Sequence, residues 1–217
     1  MTGEPHAADG PAHGAAYYAD RRDWRGYYDA MAGSPPRPLL RRALEMIGEP
    51  APGDLAIDLG CGEGRDSAEL LGRGWRVLAI DAEAEAIDRL RRRADLTGTD
   101  RLETLAARFE TADLPPCRLL NAAYALPFCP PGAFGAVWDR CAGAIEPGGL
   151  FVGQLFGERD GWAAQPDVTA HRRGALDALL SQFIIEHLQE EERDGADALG
   201  YAKHWHIFHL IARKRDG

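Results

Sequence analysis

The sequence is poor in several features that would point to common protein classes. It has four cysteines, Cys61, Cys117, Cys129 and Cys141, and none forms a C-x-x-C pair. That spacing excludes a zinc ribbon or a thioredoxin-like centre and offers no disulfide framework. Positive charge is also short: 25 lysines and arginines stand against 34 acidic residues, for a net charge of −9. No basic block interrupts the deficit. A general nucleic-acid binder needs a basic footprint, and an acidic surface repels phosphate and anionic lipid at long range. Neither nucleic acid nor a membrane is therefore expected as a partner. No apolar run approaches the roughly 20 residues of a membrane span. The first residues lack the basic region and apolar core of a secretory signal, so a cytoplasmic location is expected. There is no internal repeat.

At 217 residues the chain predicts one domain with a real core. Residues 1–16, "MTGEPHAADGPAHGAA", have no apolar period and are expected to be a mobile tail. Residues 17–50 read as an N-terminal helical cap. Leu39, Leu40, Ala43, Leu44 and Ile47 share a helical face, with Ser34 and the prolines at 35, 36 and 38 at its start and Gly48 and Pro50 at its stop. Beyond residue 50, strands and helices alternate. "LAIDLG", "RVLAID", "LETLAARFETA", "CRLLNAAYAL" and "PGGLFVGQLFG" carry strands, and helices are expected over 64–71, 83–96, 131–144 and 169–181. Such alternation predicts an α/β fold: a mostly parallel sheet with helices on both faces. The ending differs. "FIIEHLQEEE" and "AKHWHIFHLIARKR" have no helix between them, and the Asp-Gly of "RDGADALG" signals a turn. One terminal strand of this hairpin should run antiparallel.

The stretch "LAIDLGCGEGRD" places Gly60, Gly62 and Gly64 where a buried strand turns into a helix. Glycine permits left-handed dihedrals and lets a ligand reach the backbone. The next strand ends in Asp81, and a carboxylate there can accept both hydroxyls of a ribose. The pattern is G-x-G-x-G, whereas a dinucleotide fingerprint is G-x-G-x-x-G. Asp58 and Glu63 flank the elbow and would repel a diphosphate. They suit a ligand that has a ribose, no phosphate and positive charge, as S-adenosylmethionine does.

"AIDLGCGEGRDSAELLGRGWRVLAIDAE" resembles the first motif, and its acidic follow-on, of class I S-adenosylmethionine-dependent methyltransferases. "FETADLPP" is similar to the family's adenine-binding loop and "IEPGGLFVGQLF" to its turn before the fifth strand; the closing hairpin fits as well. "KHWHIFHLIARK" and "YYDAMAGSPPRPLL" are similar to a small bacterial branch near the tellurite-resistance methyltransferases. The resemblance implies a three-layer α/β/α Rossmann-like fold with a seven-stranded, mostly parallel sheet and an antiparallel C-terminal hairpin strand. It makes residues 51–217 the S-adenosylmethionine-binding domain. It implies that Gly60, Cys61, Gly62 and Gly64 line the methionine part, beside Asp58. Asp81 would hold the ribose, with Ala82 near the adenine. Phe109 and Glu110 would flank the adenine, with Glu110 standing where Asp is commoner. Asn121 would sit beside the sulfonium and methionyl amine, Arg37 would meet the carboxylate, and Asp66 would orient the elbow.

The acceptor is less marked. Tyr17, Tyr18, Trp24, Tyr27 and Tyr28 precede the first strand, where a lid of aromatic area would exclude water; ordinary helix packing is the alternative. Asp160 and Trp162 lie past the fifth strand, at the ligand-binding edge of such sheets, as acceptor contacts or as a solvated loop. His204 and His206 share one strand face, and two histidines without a third ligand do not make a metal site. They line the acceptor cavity or pack at a strand end. No motif fixes a catalytic base; Tyr27, Tyr28, His204 and His206 are the candidates. "NAAYALPF" lacks the proline pair of an N-P-P-[YF] signature, which disfavours methylation of adenine or glutamine amino groups. The expected activity is methyl transfer from S-adenosylmethionine to a small molecule, by in-line displacement that works mainly through positioning. An NAD-dependent oxidoreductase and a non-catalytic binding module are the alternatives.

Overall fold

The glycine-ended run and the run that follows it become neighbouring parallel strands. The computed structural model describes residues 23–216; the expected tail, Tyr17 and Tyr18 lie outside them. In chain order the elements are α1 (Trp24–Met31), α2 (Pro38–Ile47), β1 (Leu55–Leu59), α3 (Arg65–Gly72), β2 (Arg76–Asp81), α4 (Ala84–Arg91) and β3 (Leu102–Ala106). Then come β4 (Cys117–Ala122), α5 (Pro131–Ala144), β5 (Ile145–Gly157), β6 (Ala170–His171), α6 (Leu176–Leu179), β7 (Phe183–Ala196) and β8 (Ala202–Lys214). The sheet runs β3-β2-β1-β4-β5-β8-β7, with β6 beside β5. β8 is antiparallel to both of its neighbours, and the other pairings are parallel. This is the expected Rossmann-like architecture, with eight strands rather than seven because the two-residue β6 adds an edge.

Both faces of the central strands β1, β4 and β5 are buried, which explains their near-continuous apolar runs, whereas the outer strand β7 is mostly exposed. Alternate residues feed two layers. Ala56, Leu119, Leu150 and Val152 pack with Leu40, Leu44, Leu70 and Leu71 of α2 and α3. Ile57, Leu120 and Phe151 pack with Phe134, Val137, Trp138 and Cys141, one face of α5. Truncating a side chain as fully buried as Leu70 costs about 2–5 kcal/mol in such cores.

Three expectations need correction. The helix over 83–96 stops at Arg91. The region 169–181 is not one helix: Ala170–His171 pair with β5, a 3-10 turn covers Arg173–Ala175, and only Leu176–Leu179 are α-helical. The leucines there keep a helical spacing, but pairing of Ala170 and His171 with the C-terminal end of β5 captures the first residues. The Asp-Gly at 194–195 does not turn; Asp194 and Gly195 pair with His204 and Lys203. The chain reverses at Asp197, whose Oδ1 accepts the amides of Leu199 and Tyr201 at 2.9 and 3.0 Å, with Gly200 at φ 87°. Among the described residues no helix is long and apolar enough to cross a membrane.

Candidate active site

At the C-terminal ends of β1, β2 and β4 the sheet opens into a cavity of about 830 Å³. This is where open α/β sheets place ligands. Its floor is the glycine elbow. Gly60, Gly62 and Gly64 all have positive φ, at 74°, 55° and 84°. The amides of Gly60 and Cys61 both reach the Ile80 carbonyl, at 2.8 and 3.0 Å, which ties the elbow to β2. A Cβ on Gly60 would stand 2.5 Å from the Cβ of Ala125. Gly64 is packed from behind, where a Cβ would run into Leu90.

Asp81, at the end of β2, is buried. Its Oδ2 accepts the Gly62 amide and its Oδ1 the Glu83 amide, each at 2.9 Å. Burial raises its pKa, and these two amides and the Tyr28 hydroxyl oppose the rise. Asp58, under the elbow, accepts from Ser67 Oγ at 2.5 Å and from Asn121 Nδ2 at 2.9 Å. Burial and the neighbouring Asp66 push it up to about 7. Glu63 is raised by burial as well. Four carboxylates therefore crowd one end of the cavity. Arg37 opposes them: its amide donates to Asp66 Oδ1 at 2.9 Å, its Nε lies 3.6 Å from Asp66 Oδ2, and its Nη2 donates to the Tyr27 hydroxyl at 3.1 Å.

α1 covers this end. Asp23 caps it through the Gly26 amide at 2.8 Å. Asp29 pairs with Arg89 of α4 at 2.6 Å. These contacts set the Tyr28 ring against Gly62, 3.4 Å from where a Cβ would be. Burial raises the Tyr28 hydroxyl, with Asp81 and Glu83 adding to the shift, so it stays protonated.

Of the cofactor residues expected from sequence, Arg37, Asp58, Gly60, Cys61, Gly62, Asp66, Asp81, Ala82, Phe109 and Glu110 all line this one cavity, as do Tyr27 and Tyr28. Gly64 and Asn121 do not. Gly64 starts α3 from behind, and the Asn121 amide lies beneath Asp58 and Asp66, with its Oδ1 buried and unpartnered. Glu110 is bound by Arg108 at 2.9 Å and held below the usual carboxylate range. Cys61 is pushed well above its ordinary value by burial, so it is a thiol and a poor nucleophile. The histidine candidates lie outside the cavity lining. His204 faces Asp194 and Glu192 at 2.7 and 3.2 Å, and buried His206 contacts Glu190 at 2.8 Å. Asp160 is buried in an ion pair with Lys203, while Trp162 lines the cavity.

Sequence reasoning missed the far wall. Tyr124, Phe128, Phe156, Gln165 and Trp205 line it. Tyr124 holds a left-handed φ of 55°, its amide bound by Gln154 Oε1 at 3.1 Å. A non-glycine residue in that region is strained, and such strain gathers at functional sites. Its place just past β4 was the available signal. The others are far apart in sequence and gave none.

The fit to S-adenosylmethionine rests on these residues. The elbow leaves room where a side chain would intrude, a carboxylate closes β2, and the surrounding acids suit a cationic ligand. Residues 56–149 match the family described as "Methyltransferase domain". Aklanonic acid methyltransferase DauC from Streptomyces sp. strain C5 is 28% identical over 176 residues, covering 78% of this chain and 75% of that protein. TehB from Haemophilus influenzae is similar in structure, with a TM-score of 0.67 at 16% identity, covering 81% of this chain. The chain spans 61% of the length of TehB. The Burkholderia thailandensis 1,6-didemethyltoxoflavin-N1-methyltransferase, solved with 1,6-didemethyltoxoflavin and S-adenosylhomocysteine, gives a TM-score of 0.63 at 24% identity, over 99% of this chain and 100% of that one.

Proposed function

We propose that this chain is a class I S-adenosylmethionine-dependent methyltransferase and moves a methyl group from S-adenosylmethionine to a small-molecule acceptor. One observation carries the reading: the Gly62 amide, which a pyrophosphate would need, is already engaged by Asp81. Carboxylates surround it. An NAD-type diphosphate finds repulsion there, and a sulfonium with an ammonium finds complementary charge.

Bound at this end, S-adenosylmethionine supplies a methyl group on an already activated leaving group. The protein's residues then mainly position and enclose. In our reading Asp81 receives the ribose hydroxyls, Arg37 the methionine carboxylate, and Asp58 and Asp66 the ammonium. Asn121 holds those two acids in place, and Phe109 and Glu110 flank the adenine beside Ala82. α1 acts as a cap whose Tyr27 and Tyr28 keep water from the reacting atoms. Orientation of this kind contributes about 7–11 kcal/mol. No side chain in the cavity is assigned as a base. An acceptor ionised at neutral pH needs none. The protein is read as cytoplasmic, acting on a metabolite rather than on nucleic acid.

The test is transfer of labelled methyl from S-adenosylmethionine to a panel of metabolites, with formation of S-adenosylhomocysteine followed in parallel. The reading predicts label in at least one acceptor and matching S-adenosylhomocysteine. Cofactor binding with no transfer to any acceptor would favour a binding module.

A further inference from the structure

We propose that the acceptor is a planar aromatic or heteroaromatic ring with a hydrogen-bonding edge, held against the far wall of the cavity and read by the side-chain amide of Gln165. The inference rests on the methyl-donor reading only for which end of the cavity holds the donor.

The wall is built from rings contributed by distant parts of the chain: Trp24 of α1, Tyr124 and Phe128 after β4, Phe156 of β5, Trp162 beyond it and Trp205 of β8. They form one continuous set. Trp24 meets Phe128 at 5.1 Å and 87°, Phe128 meets Phe156 at 5.8 Å and 83°, and Trp162 meets Trp205 at 5.8 Å. Rings met edge-on or tilted rather than face to face make a wall against which a further ring can pack.

A cage of aromatic rings is also the usual receptor for a quaternary ammonium. Here that place is filled from inside. The ammonium of Lys203 stands 3.9 Å from the Trp205 centroid, 4.3 Å from that of Trp162 and 4.8 Å from that of Phe156, and it is paired with buried Asp160. A cation on these rings draws on the electron density that a cationic ligand would need. It leaves them better suited to stack with an electron-rich ring.

Gln165 supplies the edge reader. It is 6% exposed and lines the cavity. Its backbone is fixed in a turn, with its amide on the Trp162 carbonyl at 2.9 Å and its carbonyl accepting from Val168 at 3.2 Å. Its side-chain amide makes no hydrogen bond among the described residues. Its amide atoms are not sealed in the core but open to the cavity, where a ligand can meet them. The amide offers one acceptor and one donor side by side, the complement of a lactam or similar edge. Trp162 and Gln165 sit on the same turn, so ring and edge are read together.

The test is titration with isoquinolin-1-one as a lactam ring, naphthalene as a ring without the edge, and choline, each with and without saturating S-adenosylhomocysteine, followed by tryptophan fluorescence. The lactam should bind at least tenfold more tightly than naphthalene, with choline giving no saturation. Gln165→Leu should lower lactam affinity tenfold or more and leave naphthalene within twofold. Gln165→Glu, which keeps shape and acceptor but not the donor, should give an intermediate loss. Choline binding as well as the lactam, or lactam affinity unmoved by Gln165→Leu, would overturn the inference. If S-adenosylhomocysteine does not bind, the methyl-donor reading fails, and the titrations without it still decide this one.

Discussion

The backbone amide of Gly62 donates to the carboxylate of Asp81 at 2.9 Å, which joins the loop after β1 to the end of β2 across the cavity floor. Asp81 therefore has two duties, holding the elbow and receiving a ligand. Asp81→Ala should weaken S-adenosylmethionine binding by more than tenfold, measured by calorimetry. Unchanged affinity would remove the ribose assignment.

The elbow's glycines are required for two different reasons. Gly64 has φ 84°, and a Cβ there would strike Leu90 of α4. Gly64→Ala should destabilise the protein by about 1–2 kcal/mol from the left-handed backbone and about 1–3 kcal/mol more from overpacking. Gly62→Ala meets only the edge of the Tyr28 ring at 3.4 Å and should cost the backbone share alone. Urea melts of the two variants check the order, and equal losses would contradict it.

Much of this was legible in the sequence because it is local. The β1 run, its glycines and Asp81 lie within one strand–helix–strand unit, so spacing alone placed them together. Most of the far wall was not legible, because Phe128, Phe156 and Trp205 meet only through the sheet order. The chain reversal was misplaced for a different reason. Asp-Gly at 194–195 is a strong local signal, but strand pairing continues through it to Ala196 and Ala202. The carboxylate of Asp197 then caps the real turn.

Binding of the cationic cofactor should depend on pH with a definite sign. The Asp58 carboxyl is pushed up to about 7 from 3.8, so near neutrality part of it is protonated in the free protein. A nearby ammonium favours the carboxylate. Affinity should rise about three- to tenfold between roughly pH 6 and pH 8, the order of magnitude expected when up to one proton leaves as one ligand binds. Protons should be released to the buffer on binding near neutrality. Folding runs the other way. The folded chain holds this proton more tightly than the unfolded chain does, so that stabilisation fades as pH rises from the ordinary carboxylate range to about 7. Calorimetry in buffers of different ionisation enthalpy, and melts across this range, read both effects.

Tyr27 accepts from Arg37 at 3.1 Å, and Arg37 also lies over the Tyr124 ring at 5.0 Å. Tyr27→Phe leaves the ring and frees the guanidinium. The expected outcome is a severalfold rise in KM for S-adenosylmethionine with kcat within twofold. A fall in kcat alone would instead make the hydroxyl a participant in the chemistry.

The most direct measurement is calorimetric titration of the purified protein with S-adenosylmethionine, S-adenosylhomocysteine and NAD. The account predicts saturable one-site binding of both sulfur nucleosides, weakened more than tenfold in Asp81→Ala, and no heat of binding with NAD. Binding of NAD in preference to either, or binding of neither sulfur nucleoside, would contradict it.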